Sequence, residues 1–419
     1  VTLSERAGAL EDSADRPVLQ PQNSSTPRRP EPPSAAPAKT SETAKSGRGP
    51  MIASLTGIRA LTASWIVVDH FRGQLFDLLP ALRFLDPPLL AGYLRVEVFF
   101  VLSGFILAYN YAEKIRTGAS YRRFLWARAA RIYPLHITTT FIAVLLALYT
   151  PQTFLDAVGH DFPVNPSNLV ANILNLQGIL PFRGFDVPSW SLTCEMVAYL
   201  VFPALALLAV RLSPRLALLL GALVIAGGVV AINLVAGPGP AWLAANDIMW
   251  LRIGTDFTAG VLLCVWWRDR PRTSGRWDYV AIGCVVTVFV LSYCVPGGSP
   301  ATFLALPVIA LLLVAIASAS GPVARLLASR PMQWGGKLSY SLYLGHCIAQ
   351  LIVEQILPSS DYHDTSLAVR IGWLLMTVTW ILAIAIGLHY GVEEPARKRM
   401  LAWYARGEKK RAARVPCPE

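Results

Sequence analysis

Apolar runs long enough to cross a lipid bilayer recur along this chain from residue 53 onward. A spanning helix needs about 20 mainly apolar residues, and inside hydrocarbon its backbone must satisfy its own hydrogen bonds. Ten segments meet that need: 53–71, 89–111, 133–150, 189–210, 214–236, 247–267, 278–295, 300–319, 338–357 and 369–392. The composition agrees. Apolar residues make up 54% of the 419 and charged residues 15%, against about 45–50% and about 25% in soluble chains. That balance excludes an ordinary soluble multidomain protein and an intrinsically disordered one. The expected fold is all-α, a polytopic transmembrane helical bundle of about ten spans.

The chain divides into three regions. Residues 1–50 are rich in Pro, Ser, Ala and charge and have no apolar core, so they read as a disordered cytoplasmic tail. Residues 51–399 form the transmembrane domain, and 400–419 read as a basic cytoplasmic tail. Within the domain, 122–134 reads as a short amphipathic cytoplasmic helix, and 166–180 as an interfacial helix. Val1 fits a translated alternative start codon; with the Ala, Arg and Pro richness it points to a high-GC bacterium.

The formal charge of +11 raises the question of nucleic acid. Its distribution answers it. With a cytoplasmic N-terminus, the basic residues crowd into 112–132, 211–215, 268–277, 320–337 and the C-terminal segment, while the opposite loops hold only Arg72, Arg83 and Arg183. This is the asymmetry of a multi-pass protein with its positive loops inside the cell. Both termini are therefore expected in the cytoplasm and the protein in the plasma membrane. The lipid bilayer, not nucleic acid, is the expected partner. The cysteines show neither a CxxC nor a metal spacing, so no metal is expected and the buried ones read as small hydrophobes.

Ionisable side chains within spans are expensive and mark candidate sites. Arg59 and His70 lie eleven residues apart on the first span, which on a helix places them about 20° apart in azimuth and about 16 Å apart along the axis. Neutral imidazole is the usual general base near neutral pH, and a guanidinium on the same face suits phosphate. The plainer reading is a snorkelling arginine and a headgroup-level histidine. Glu97 in the second span and Glu195 in the fourth reach a depth close to that of His70, which predicts one buried polar site. The competing reading is a structural ion-pair cluster with Arg95 as the counter-charge. Arg128 and Arg131 share a helix face and suit either a pyrophosphate or anionic lipid headgroups. Arg252 in the sixth span and His346 in the ninth are further candidates.

Several motifs, in order, resemble the acyltransferase-3 family over roughly residues 51–399. They are Leu55-Thr56-Gly57-Ile58-Arg59 leading to His70, Val96-Glu97-Val98-Phe99-Phe100 through Ser103-Gly104-Phe105, Arg128-Ala129-Ala130-Arg131-Ile132-Tyr133-Pro134, Pro188 with Trp190-Ser191-Leu192 and Glu195, Gly336 through Leu344 with His346, and Glu394-Pro395. The resemblance implies an integral membrane O-acyltransferase. It would move an acyl group, often acetyl, from acyl-CoA to a hydroxyl of a sugar, glycan or sugar-bearing metabolite, with no permanently bound cofactor. His70 becomes the catalytic histidine, as general base or acyl carrier, with Glu97 and Glu195 as site carboxylates. Arg59, Arg128 and Arg131 become donor-binding residues, and Trp190, Arg252 and His346 acceptor-binding candidates. Larger members carry an appended esterase-like domain; here the last span leads into a basic segment, so a small acceptor such as a macrolide is expected. The alternative from another class is a transporter or flippase for a glycoconjugate.

Overall fold

A computed structural model of the chain describes residues 52–115, 117–150, 164–180, 184–236, 245–268, 273–295, 299–356 and 365–412. Segments 1–50 and 413–419, expected as tails, and Arg183 lie outside the described residues. The long helices are α1 Ala53–His70, α2 Leu94–Tyr111, α3 Gly118–Tyr149, α4 Trp190–Ala209, α5 Pro214–Ala236, α6 Ala245–Arg268, α7 Arg276–Cys294, α8 Leu306–Ser318, α9 Arg330–Ile356, α10 Leu367–Leu388 and α11 Glu394–Ala412. No strand occurs among the described residues. The fold is an all-α polytopic bundle, and α1 to α10 fall on the ten apolar runs.

Eight of the described helical segments are long and apolar enough to cross a membrane. Two others, α1 and α9, fall short on apolar content. The polar residues of these two sit largely against protein, because α1 and α9 pack along each other. Helices α2, α6 and α8 are central, whereas α5, α7 and α10 turn most of their surface outward. On α7 that outward face is Ile282, Val285, Val286, Phe289 and Val290, a surface suited to lipid.

The central crossing of α2 and α6 depends on glycine. A Cβ on Gly104 would lie 2.1 Å from the Phe257 carbonyl oxygen, and one on Gly260 would lie 2.1 Å from the Val101 carbonyl oxygen. The two backbones touch, as small residues permit at helix interfaces in membranes. Gly336 does the same for α9 on α1, where a Cβ would meet the Thr56 carbonyl oxygen at 2.1 Å. Gly104 and Gly336, both in sequence motifs, therefore set helix spacing.

Two local expectations change. The arginine-rich stretch 122–134 is not a separate short helix. It is the first half of α3, which runs 32 residues through Pro134. Pro134 has no N–H for the Ala130 carbonyl, but the helix continues, and the Thr138 hydroxyl donates to the Pro134 carbonyl at 2.8 Å. At the C-terminal end, α10 passes through a π-helical turn, His389–Glu393, into α11. Residues 400–412 are thus helical and docked: Trp126 Nε1 donates to the Met400 carbonyl at 3.0 Å and its ring lies 5.2 Å from that of Trp403. The 166–180 segment contains a short helix, Pro166–Ile173, capped by Asn165.

Candidate active site

One cavity opens among α1, α2, α3, α4 and α9, with an empty volume of about 900 Å³ counting its mouth. Arg59, Arg128, Arg131, Glu195, Tyr199 and Tyr340 supply most of its polar wall. The three arginines are answered differently. Arg131 pairs with Glu393 at 2.5 Å and lies over the Tyr340 ring. The Arg128 guanidinium lies over the rings of Tyr111, Phe124 and Tyr199 and donates to the Tyr111 hydroxyl at 3.3 Å, with no carboxylate partner. Arg59 has a buried Nε without a hydrogen-bond partner and forms no ion pair among the described residues. Glu195 accepts from Ser103 at 3.2 Å and from the Tyr199 hydroxyl, so its charge is engaged by hydroxyls and not by a guanidinium. Two guanidiniums thus face an empty volume with no ion-pair partner among the described residues.

The helical spacing of Arg59 and His70 puts them at opposite ends of α1. His70 does not line the cavity. It is exposed, in an open depression with Asp69, Arg72 and Gly73. A chain of rings on α9 joins the two places. Tyr343 lines the cavity and its hydroxyl donates to the Pro188 carbonyl at 3.1 Å. The His346 ring lies 6.0 Å from that of Tyr343, and the His70 ring meets His346 edge-on at 4.7 Å. His346 Nδ1 donates to the Tyr343 carbonyl at 2.6 Å, which leaves Nε2 as the lone-pair nitrogen. Cys347 Sγ is 3.4 Å from that Nε2.

Glu97 belongs to a third cluster. It is fully buried and accepts from Arg252 Nε at 2.7 Å. The Arg252 guanidinium lies 5.0 Å from the Trp190 ring centroid and 5.5 Å from that of Phe303. Asp256, one turn further along α6, brings a second buried carboxylate beside Glu97. Arg95 is not the counter-charge of Glu97. Two residues on a helix are about 200° apart. Arg95 instead donates to the Leu89 carbonyl at 2.6 Å, pairs with Asp69 at 3.4 Å and stacks on Trp65.

The structure therefore brings together Arg59, Arg128, Arg131 and Glu195; separately Glu97, Arg252 and Trp190; and separately His70 and His346. The single polar site expected from depth alone resolves into three. Sequence reasoning missed Ser103, Tyr199, Tyr340, Tyr343, Asp256 and Glu393. Ser103, Tyr340 and Tyr343 stood inside quoted motifs. Asp256 lies four residues after Arg252, so helical periodicity could have found it. Asp186, just before α4, was also missed; it is buried, it forms no ion pair among the described residues, and burial, outweighing the nearby Thr139 hydroxyl, pushes its carboxyl up to about 7.

Known proteins give this geometry a context. The acyltransferase-3 model, an acyltransferase domain, matches residues 52–389. Acyltransferase MdmB of Streptomyces mycarofaciens is 37% identical over 158 residues, 36% of this chain and 38% of that protein. Protein 2 in picA locus of Rhizobium radiobacter is 35% identical over 165 residues, 35% of this chain and 78% of that protein. The chain thus matches little more than a third of the length of MdmB. No solved structure matches significantly. The family match runs from α1 through α10 and takes in the cavity, the His70–His346 contact and the glycine-set crossings: the chain, with the helices of a multi-pass membrane protein, belongs to the acyltransferase-3 family.

Proposed function

We propose that the protein is an acyl-CoA-dependent O-acyltransferase of a bacterial plasma membrane, with both termini cytoplasmic. Its acyl group is acetyl or another short chain, and its acceptor is a hydroxyl of a carbohydrate or a sugar-bearing small molecule such as a macrolide. The observation that carries this reading is the convergence of Arg59, Arg128 and Arg131 on one empty cavity, two of them without a carboxylate partner. CoA offers a pyrophosphate and a ribose phosphate, and guanidinium forks suit both. Arg128 and Arg131 continue the basic segment 112–132, which the charge asymmetry assigns to the cytoplasm.

From the cavity the thioester end extends past Tyr343 toward His70. The acceptor reaches His70 from the open depression on the other side. Its hydroxyl oxygen attacks the thioester carbonyl carbon while His70 takes the hydroxyl proton. The C–S bond then breaks, and the departing CoA sulfur takes a proton from the imidazolium. A positioned base of this kind is worth roughly 10²–10⁴-fold. His346, fixed by the Tyr343 carbonyl, steadies the His70 ring.

The test uses purified protein in detergent with acetyl-CoA and a panel of glycosides, macrolides included. Free CoA thiol and an acylated product by mass spectrometry are the expected result. His70→Ala should keep donor binding and lose turnover by the same roughly 10²–10⁴-fold. No thiol release across a panel of acyl-CoAs and acceptors, or near-wild-type turnover in folded His70→Ala, overturns the reading.

A further inference from the structure

We infer that His70, His346 and Cys347 form a binding site for a soft divalent cation, Zn²⁺ above all, and that occupancy silences transfer from the end of α1 opposite the arginine cavity. One ligand atom from each of the three residues lies within 4.8 Å of the other two. Only the fold assembles this set, because 276 positions separate His70 from His346. No local spacing in the sequence announces it.

The donor chemistry suits zinc. Two imidazoles and one thiolate are borderline-soft ligands, and three protein ligands leave a fourth position open. With Zn–N about 2.0–2.1 Å and Zn–S about 2.3 Å, tetrahedral geometry puts nitrogen and sulfur roughly 3.5 Å apart. His346 Nε2 and Cys347 Sγ are already 3.4 Å apart. The orientation of His346 also suits a ligand: a metal-binding histidine nearly always donates its other ring N–H to a carbonyl or carboxylate. His346 Nδ1 does so to the Tyr343 carbonyl at 2.6 Å. His346 and Cys347 are buried and held on one long helix. His70 is the exposed last residue of α1, so its ring can close onto an ion and leave the fourth position to water. The Asp69 carboxylate next to it adds negative potential, although it is shared with Arg72 at 2.8 Å and Arg95 at 3.4 Å.

Binding removes the thiol proton, so one proton leaves per ion and affinity rises with pH. It also occupies the lone pair that His70 needs as a base. The inhibitory half of the inference rests on the proposed role of His70; the binding half does not.

The experiment uses the full chain in detergent, stripped with chelator and then dialysed against Zn²⁺ or titrated with Co²⁺. Elemental analysis should give one ion per chain. Co²⁺ should give the intense visible bands of tetrahedral coordination with a thiolate-to-metal charge-transfer band. Cys347→Ser should abolish the charge-transfer band and weaken affinity at least roughly 10-fold, as should His346→Ala and His70→Ala, the scale on which loss of a ligand shell partner is felt. Zn²⁺ should inhibit wild-type transfer in step with occupancy, reversibly by chelator. Stoichiometry and spectrum unaltered in folded Cys347→Ser, which preserves size and shape, would place the ion elsewhere and overturn the site. Failure to bind either ion would do the same. Site-dependent binding that leaves turnover untouched would overturn the inhibitory claim, and the base assignment of His70 with it.

Discussion

Arg252 on α6 is enclosed by its own protein: Glu97 accepts its hydrogen bonds, and Trp190 and Phe303 present ring faces to it. Arg59 on α1 ends in a cavity, with its Nε unbonded and no ion pair among the described residues. Both arginines sit inside the bundle, where a lone charge is costly. Arg252 has its cost offset by a carboxylate supplied by the chain. Arg59, with carboxylates in its neighbourhood but no ion pair among the described residues, lies beside empty space, which is the arrangement of a ligand site. The difference separates charges that hold helices together from charges held ready for a molecule.

The largest expected effect breaks the closed cluster. Removing one partner of a buried pair leaves the other uncompensated and costs roughly 3–5 kcal/mol. Arg252→Ala and Glu97→Ala should therefore melt well below wild type in detergent. Arg252→Met with Glu97→Leu should recover most of that loss. If Arg252→Ala melted like wild type and raised the acceptor KM instead, Arg252 would belong with Arg59, as an acceptor-binding residue.

Asp186 extends the comparison to a buried acid that forms no ion pair among the described residues and has Thr139 beside it. Its folded-state carboxyl is raised to about 7 from 3.8. The folded chain then binds a proton that the unfolded chain releases, so stability falls as pH climbs from about 4 to about 7 and stays lower above. At about 1.36 kcal/mol per pH unit the full effect is roughly 4 kcal/mol. Asp186→Asn should not show this fall, and its advantage over wild type should widen between pH 4.5 and 8. Parallel melting curves for the two proteins across that range would mean that Asp186 has a partner in solution.

A smaller effect probes the open cavity. Arg59→Ala, or Arg128→Ala with Arg131→Ala, should raise the donor KM roughly 10–100-fold, from about 1.5–3 kcal/mol per charged hydrogen bond. The acceptor KM should hardly move, since the loss is of uniform donor binding. Arg59→Ala should melt no lower than wild type, because no pair is broken. Anionic-lipid binding by Arg128 and Arg131 predicts the reverse: poorer stability with an unchanged donor KM. Smallest of all, Tyr343→Phe loses the hydroxyl's hydrogen bonds with the Pro188 carbonyl and the Ser191 hydroxyl, about 1–2 kcal/mol together, and should lower the melting temperature by a few degrees. A collapse of folding there would make the wall between cavity and His70 a support of the whole bundle.

The ten helices were legible because hydrocarbon imposes a minimum length and an apolar composition on each, whatever its neighbours. Even α1 and α9, the least apolar, stand out in the sequence as the runs 53–71 and 338–357. What stayed hidden was pairing at a distance. Glu97 and Arg252 are 155 positions apart, and neither residue's local pattern names the other. Depth along a span can be counted from sequence, but azimuth between helices cannot, so His70, Glu97 and Glu195, counted to a similar depth, looked like one site. Pro134 looked like a boundary because its cost is read locally. The arginine-rich half of α3 instead stays in register with the span, with Arg131 held by Glu393 from the far end of the chain.

The mutual contact of Gly104 and Gly260 has a consequence for anyone reshaping this protein. Each residue is the bearing surface for the other helix's backbone, with no side chain to trim in exchange. A library meant to admit bulkier donors or acceptors would have freedom at Phe99 and Ile106 on the cavity wall. At 104 and 260 even one added methyl would force apart the two helices that carry Glu97 and Arg252. Variation in what the protein accepts has its room on one side of α2, and the other side of the same helix is fixed to the width of a hydrogen atom.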